Sequence, residues 1–274
     1  MLTDAEAWMR PAAFVLVLAL LAAAEVLRPR RTRTLPRRRR WPANLGILAI
    51  DAALLRLLLP AAAIGAAVAA ERHGFGLLNA TALPAWIAVP VAVVALDLVI
   101  WAQHVLFHRI PVLWRLHRVH HADRDLDVTT GLRFHPLEIL ASMAIKMAAV
   151  ALLGAPAAAV VLFELLLNAA AMFNHANLAL PAGLDRRLRR FLVTPDMHRV
   201  HHSVHRDETD RNFGFALSWW DRVFGTYRDR PRDGHAGMAI GTPGFDGPSE
   251  ERLDRMLTQP FRQPVSIAGG RTLH

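Results

Sequence analysis

Long apolar runs limit this chain to a membrane fold. Residues 11–27 are apolar except for Glu25, and residues 45–70 and 85–107 form two further runs. A helix that rises about 1.5 Å per residue needs about 20 residues to cross a hydrocarbon core, so each run is long enough, the first only marginally. A cleaved signal peptide is the alternative for the first run, but the mixed charges before it favour an anchor. We predict an all-α membrane bundle with about three spans.

A shorter apolar segment follows these runs. Residues 137–172 contain two apolar stretches on either side of a Gly-Ala-Pro turn at 154–156. They predict either two short helices or a re-entrant hairpin, and both return the chain to the face that it left. Folding at the turn places Lys146 opposite Glu164. Because an intramembrane lysine needs a partner, we predict an ion pair between these two residues.

The net charge of +9 is local and does not indicate nucleic-acid binding. Eight arginines within residues 28–40 account for eight of the nine net positive charges. This stretch connects the first two apolar runs, so the positive-inside bias predicts a cytoplasmic loop. The second apolar run then leaves the cytoplasmic side, and the third run returns to it and brings residues 101–108 to the cytoplasmic face. The predicted location is a bacterial inner membrane, with a histidine-rich helical cap on the cytoplasmic side.

The chain has no cysteine. This excludes thiolate zinc sites, iron–sulfur clusters, disulfide scaffolds and thioredoxin-type redox pairs. Any bound metal must therefore be held by histidine or carboxylate.

Eight histidines form three tight groups. H-x-x-H-H is expected by chance roughly 0.04 times in a chain of this length, yet it occurs twice. On a helix, positions i, i+3 and i+4 fall within an arc of about 100°, so each group turns its imidazoles to one side. Eight imidazoles exceed the four ligands of a tetrahedral zinc ion and indicate a dinuclear centre. The groups are His104-x3-His108, His117-x2-His120-His121 and His198-x2-His201-His202.

Four further polar residues are candidates for this site. His135 and His175 stand at the two ends of the predicted hairpin and are candidate ligands, with a supporting or structural role as the alternative. Asp97 lies seven residues before His104, where it either orients that ring or packs between helices. His205 is either a supporting residue or an exposed one. No catalytic residue other than the ligands is predicted.

The histidine groups resemble those of the fatty acid hydroxylase / sterol desaturase superfamily of membrane di-iron oxygenases. Further likeness lies in Arg-Phe-His-Pro-Leu-Glu at 133–138, Asn-Phe-Gly at 212–214 and Trp-Trp-Asp-Arg-Val-Phe-Gly-Thr-Tyr at 219–227. The likeness covers residues 90–230. The resemblance implies that two ferrous ions bind O2 and form an oxidant. This oxidant would take hydrogen from an unactivated C–H bond of a lipid. The fatty acid 2-hydroxylase branch has a further histidine where this chain has Ala179, so the resemblance does not select that branch.

The resemblance predicts an oxidoreductase that hydroxylates or desaturates a lipid such as a sterol, fatty acyl chain or ether lipid. Its cofactors would be two Fe ions, with Zn possible in the purified protein. An external ferredoxin or cytochrome would supply electrons, since the chain has no redox cofactor motif. A zinc hydrolase that uses Glu138 or Asp196 as base is one alternative, and a non-catalytic metal transport or storage protein is another.

Three regions are predicted along the chain. Residues 1–84 hold the N-terminal membrane helices and the arginine-rich loop, residues 85–230 form the catalytic domain, and residues 231–274 are a loop-rich tail. Four aromatic residues near the end of the second region predict either a lid over the substrate entrance or interface anchors. They are Trp219, Trp220, Phe224 and Tyr227.

Overall fold

The computed structural model describes residues 4–264, and side chains from Arg10 onward. Within that range the chain forms helices and loops with no β-strand, so the prediction of an all-α fold is confirmed. The helices are α1 Asp4–Leu27, α2 Arg37–Leu58, α3 Ala62–Arg72, α4 Ala85–Arg109, α5 Pro111–His121, α6 Pro136–Leu153, α7 Ala157–His175, α8 Ala182–Leu188, α9 Pro195–His201, α10 Arg206–Thr209, α11 Trp219–Val223, α12 Gly234–Gly237 and α13 Leu253–Thr258.

Five segments are long and apolar enough to cross a membrane. They are Arg10–Leu27, Arg37–Arg72, Ala85–Arg109, Pro136–Leu153 and Ala157–His175. These segments correspond to the three predicted runs and the two arms of the predicted hairpin. The second run is not one helix, because α2 ends at Leu58 and α3 begins at Ala62. Pro60 explains the break, since proline lacks an N–H and disfavours helical backbone in the residue before it.

The hairpin of α6 and α7 turns at Gly154. This residue adopts a left-handed conformation with φ of 65°, and a Cβ there would lie 2.9 Å from the Asn79 side chain. Across the hairpin, Lys146 Nζ lies 3.1 Å from Glu164 Oε1, so the predicted ion pair is confirmed. Arg10 of α1 also bonds the Glu164 carboxylate. Glu164 therefore forms ion pairs with two cations rather than one.

Small buried residues allow the membrane helices to pack closely. Ala63 and Ala67 of α3, Ala92 of α4 and Ala159 of α7 are at most 1% exposed and belong to one core cluster. Small side chains let helix backbones approach each other in a membrane, where burial of apolar surface supplies little driving force. These small residues share the core cluster with Phe163, which is also buried.

The remaining helices form a cap, which the arginine stretch joins to the bundle. Arg40 lies in the first turn of α2 and is fully buried; its guanidinium bonds Asp123 at 2.6 and 2.8 Å and Asp127 at 2.7 Å. Arg30 donates to Asp196 at 3.0 Å. The stretch is therefore only partly the loop that was predicted, because its end is helical and Arg30 and Arg40 are paired with carboxylates of the cap.

Part of the C-terminal tail is packed against the cap. Met256 of α13 is buried in a cluster with Ile47 of α2 and Val119 of α5. Arg118 of α5 donates to the Gln259 carbonyl at 2.6 Å. Up to residue 264 the tail is thus fastened to the helices that carry the histidines, and residues 265–274 lie outside the described range.

Candidate metal centre

Five histidines from three helices converge in the first of two groups, which we call group one. All their ligating nitrogens lie within 4.8 Å of one another, and every ring is buried. The Nε2 atom of His104 lies 3.0 Å from Nε2 of both His117 and His201, and the Nε2 atoms of His108 and His121 are 3.2 Å apart. Group one consists of His104, His108, His117, His121 and His201.

Group two consists of four histidines beside group one. They are His120, His175, His198 and His202, also buried and within 4.8 Å of one another. The Nε2 atom of His175 lies 2.9 Å from that of His120 and 3.0 Å from that of His198. The rings of His121 and His202 stack with centroids 4.4 Å apart, so the two groups are in contact.

Each H-x-x-H-H motif divides its rings between the groups. His117 and His121 belong to group one, whereas His120 belongs to group two. On a helix, position i+4 lies about 40° to one side of position i and position i+3 about 60° to the other. The second motif uses the same geometry in reverse, since His198 and its i+4 neighbour belong to group two and His201 to group one.

Hydrogen bonds at Nδ1 orient most of these rings. In group one, Nδ1 of His117 lies 2.6 Å from Glu138 Oε1, and Nδ1 of His104 lies 2.7 Å from the Phe213 carbonyl. An imidazole that donates from Nδ1 has its lone pair on Nε2, where it can bind a metal. The remaining Nδ1 contacts are His108 to Asp210 Oδ1 at 3.3 Å, His175 to the Ala171 carbonyl at 2.6 Å and His201 to the Arg211 carbonyl at 2.7 Å.

The buried rings favour the neutral state that metals require. Burial lowers the pKa of His117 to about 3. Burial, followed by the neighbouring imidazoles, also lowers the pKa of His120, His121, His198 and His202 well below the ordinary value. For His201 the causes are the same. At neutral pH these imidazoles are therefore unprotonated and able to act as ligands.

The nitrogen positions fit metal ions. Both ring nitrogens of His202 are buried without a hydrogen-bond partner among the described residues, an arrangement that is costly unless another group binds there. Ligands at right angles and about 2.1 Å from an ion are about 3.0 Å apart, whereas tetrahedral ligands are about 3.4 Å apart. The five shortest Nε2–Nε2 separations, 2.9–3.2 Å, are close to the former, and the other pairs lie within 4.8 Å. Five and four imidazoles thus suit two ions of high coordination number better than one zinc ion.

The structure brings nine of the ten predicted ligands together but does not bring His135 into either group. Nδ1 of His135 accepts a hydrogen bond from the Leu137 N–H at the start of α6. Its Nε2 lies 3.2 Å from the Leu257 carbonyl in the tail. Both ring nitrogens are therefore used in joining α6 to the tail.

Neither Asp97 nor His205 supports the histidine groups: Asp97 packs between helices, and His205 lies at the surface. Asp97 Oδ2 accepts hydrogen bonds from Trp220 Nε1 at 2.9 Å and from the Leu217 N–H at 3.1 Å, so it packs α4 against the cap without touching His104. His205 Nε2 contacts Asp233 at the surface.

Residues 212–227, a segment that includes α11, support group one, and the role of one residue in this segment was not predicted from the sequence. The buried Asp221 carboxylate accepts hydrogen bonds from Trp101 Nε1 at 3.1 Å and from the N–H groups of Phe213 and Gly214 at 2.8 Å. The Phe213 carbonyl in turn holds His104. The sequence signal for this role lay in the Asn-Phe-Gly and Trp-Trp-Asp motifs, because the aspartate of the second motif accepts hydrogen bonds from the backbone of the first. Phe224 stacks on Trp101 with centroids 4.5 Å apart.

A large cavity adjoins group one. It has a volume of about 1100 Å³ and lies among α2, α3, α4, α6 and α7, with His104 and His117 in its lining. Pockets for drug-sized ligands are about 300–1000 Å³. Its wall includes Leu55, Ile100 and Phe107. The cavity is therefore large and apolar enough for a long aliphatic chain beside the histidines.

Residues 89–226, half of the chain, match the model of the fatty acid hydroxylase family. The chain therefore belongs to this family, and the resemblance seen in the sequence is confirmed. None of the solved structures matches the chain.

Three curated relatives each match about half of the chain. The ornithine lipid hydroxylase OlsE of Rhizobium tropici is 30% identical over 162 residues, which is 59% of this chain and 46% of the relative. The alkylglycerol monooxygenase of Homo sapiens is 32% identical over 126 residues, 45% of this chain and 27% of the relative. That of Danio rerio is 32% identical over 138 residues, 50% and 29% of the two chains. The matched regions span less than half the length of these relatives.

Proposed function

We propose that this chain is a membrane-bound, O2-dependent di-iron oxidoreductase that hydroxylates or desaturates a lipid. The observation that carries the proposal is the pair of buried histidine groups, one of which lines a cavity large enough for an aliphatic chain. The names of the relatives support a lipid substrate, since one is an ornithine lipid hydroxylase and others are alkylglycerol monooxygenases.

Group one would hold one iron ion with five imidazoles, and group two would hold the other with four. When bound, the two ions supply the O2 chemistry that amino-acid side chains lack. The protein's own part is to fix the rings and the substrate. Glu138 and the Phe213 carbonyl hold His117 and His104 with Nε2 free. The apolar cavity wall excludes water and guides an aliphatic chain toward these two rings.

The proposed location is a bacterial inner membrane with the histidine groups on the cytoplasmic side. Support comes from the arginine stretch, which adjoins the histidine-bearing cap through the contact of Arg40 with Asp123. Electrons would come from an external ferredoxin or cytochrome, because a chain without cysteine has no thiolate-ligated iron–sulfur cluster.

The hydrolase alternative is less well supported because one of its two candidate bases, Asp196, is already engaged by two arginines. Glu138 contacts His117, and Asp196 bonds both Arg30 and Arg199. A hydrolase would also leave about half of the histidines without a role. The storage alternative does not explain why a large apolar cavity reaches group one.

Metal analysis and O2 uptake on purified, iron-loaded protein test the proposal. We expect two irons per chain and oxygen consumption that requires a reductant. Incubation with an alkylglycerol or an ornithine lipid, followed by mass spectrometry, would detect the addition of one oxygen or the loss of two hydrogens. One zinc per chain together with ester or amide cleavage would refute it.

A further inference from the structure

A buried carboxylate without a partner lines the cavity. Asp51 lies on α2 and is 4% exposed. Its Oδ1 atom has no hydrogen-bond partner, and no ion pair reaches it within the part of the chain whose side chains are described. A carboxylate in a largely apolar cavity is costly to leave unpaired. Its presence therefore points to a ligand that is bound there during function.

Two more residues that line this cavity each have an unpaired polar atom. Gln103 uses one amide atom on Ser142 Oγ, at 2.6 Å, and leaves the other unpaired. Glu138 uses Oε1 on His117 and leaves Oε2 unpaired. Both residues are at most 9% exposed, and both line the cavity together with Asp51. Three buried polar residues, one each on α2, α4 and α6, thus line one cavity. Each of them has one side-chain atom without a hydrogen-bond partner.

Four Lys and Arg side chains line the cavity, and none of them pairs with Asp51 or Glu138; Arg56 and Arg72 lie at exposed positions. Lys146 lies two turns beyond Glu138 on the same face of α6, but its ammonium is paired with Glu164, which also receives Arg10. Eight residues of helix correspond to about 12 Å along the axis, so this charge lies well away from Glu138. Among the described residues, neither Asp51 nor Glu138 therefore forms an ion pair with a lysine or an arginine.

We propose that Asp51, Gln103 and Glu138 bind a hydrogen-bond donor group of the lipid substrate, a hydroxyl or an ammonium. This inference rests on the proposed function and names the class of substrate: an aliphatic lipid that carries a donor close to the carbon that reacts. Glu138 directly contacts a ring of group one, so a donor held there keeps the adjoining carbons beside the histidines. The aliphatic remainder fills the apolar part of the cavity.

Binding of three matched probes to the full-length, metal-loaded protein without O2 tests this site. The probes are radiolabelled hexadecane, hexadecan-1-ol and hexadecylammonium, which differ only at one end. We expect at least one donor probe to bind about tenfold or more tightly than hexadecane, since buried acceptors gain a partner. Asp51→Leu should reduce this preference to about one.

Two other variants separate the donor types and control for shape. Asp51→Asn keeps the size and an acceptor oxygen but removes the charge, so it should weaken an ammonium more than a hydroxyl. Leu55→Ala, one turn along α2 in the same wall, should weaken all three probes alike. The isosteric Asn variant also tests the site if the Leu variant fails to fold.

Equal affinity of the wild-type protein for all three probes would overturn the proposal, as would an unchanged preference in both Asp51 variants. Because binding is measured without turnover, donor-selective binding in a protein that consumes no O2 would refute only the proposed oxygenase function. Reductant-dependent O2 uptake without donor selectivity would refute only this site.

Discussion

His117 and His120 lie three residues apart on α5 with ring centroids 5.3 Å apart, yet their nitrogens belong to different histidine groups. One helix thus bridges the two groups. Mutation of adjacent residues on α5 should therefore affect different ions.

His120→Ala leaves group two with three imidazoles, whereas His121→Ala leaves group one with four. After loading with iron and dialysis against a weak chelator, we expect the first variant to keep one iron per chain. The second should keep two but release one of them more readily. His135→Ala is the control and should keep both, because that ring lies in neither group. Two firmly bound irons in the His120 variant would contradict the assignment.

Glu138→Ala should weaken the metal at group one by about 10 to 100-fold, because loss of a carboxylate that orients a ligand has effects of that size. Equilibrium titration with Fe²⁺ would measure this change. Leu137→Ala is the matched control, since this neighbouring side chain is 45% exposed. Equal affinities in the two variants would show that the Glu138 contact with His117 is not needed.

Arg40→Ala should lower the free energy of unfolding by about 3–5 kcal/mol, because it leaves two buried carboxylates without their cation. Arg39→Ala, which removes an exposed arginine one residue away, should change it little. Reversible denaturation in detergent, followed by tryptophan fluorescence, compares the two. Similar stabilities would mean that the arginine stretch serves only in membrane orientation.

Gly214→Ala should disturb group one from a distance. The new Cβ would lie 2.9 Å from both Asp221 Oδ2 and the Leu217 carbonyl, which must shift the loop that carries Phe213. We expect lower iron affinity in group one, measured by the same titration. Gly237→Ala, where the added atom meets nothing within 4 Å, should bind iron as the wild type does.

Glu164→Gln should reduce the folded yield more than Lys146→Met does. The first change leaves two cations unpaired, whereas the second leaves Arg10 to neutralise Glu164. Size-exclusion chromatography in detergent would measure the folded fraction. If the two variants gave equal yields, the contribution of Arg10 would be refuted.

Local rules were sufficient to predict several elements. The Thr-Pro-Asp sequence at 194–196 is typical of a helix start, and Thr194 Oγ1 accepts a hydrogen bond from the Met197 N–H at 3.4 Å at the start of α9. The turn at Gly154 and the Lys146–Glu164 pair followed in the same way from residues close in sequence. These features depend on short segments whose geometry is set by helix periodicity and capping.

Features that depend on distant contacts could not be predicted. The carboxylates that pair with Arg40 lie more than eighty residues away in the chain, at Asp123 and Asp127. His135 was placed by hairpin symmetry, but its partner is a tail carbonyl whose position no local pattern indicates. Helix periodicity correctly directed each H-x-x-H-H motif to one side, but the division between two groups depends on how α4, α7 and α9 surround α5.

The order of the ligands along the chain has a consequence for biosynthesis. Each group combines rings from α5 and from residues 198–202 with rings from a membrane helix, α4 or α7. During translation neither set is complete until about residue 202 has left the ribosome. If the two groups hold iron as proposed, insertion of both ions is a late maturation step, because a chain that stops before residue 202 lacks a complete set of ligands.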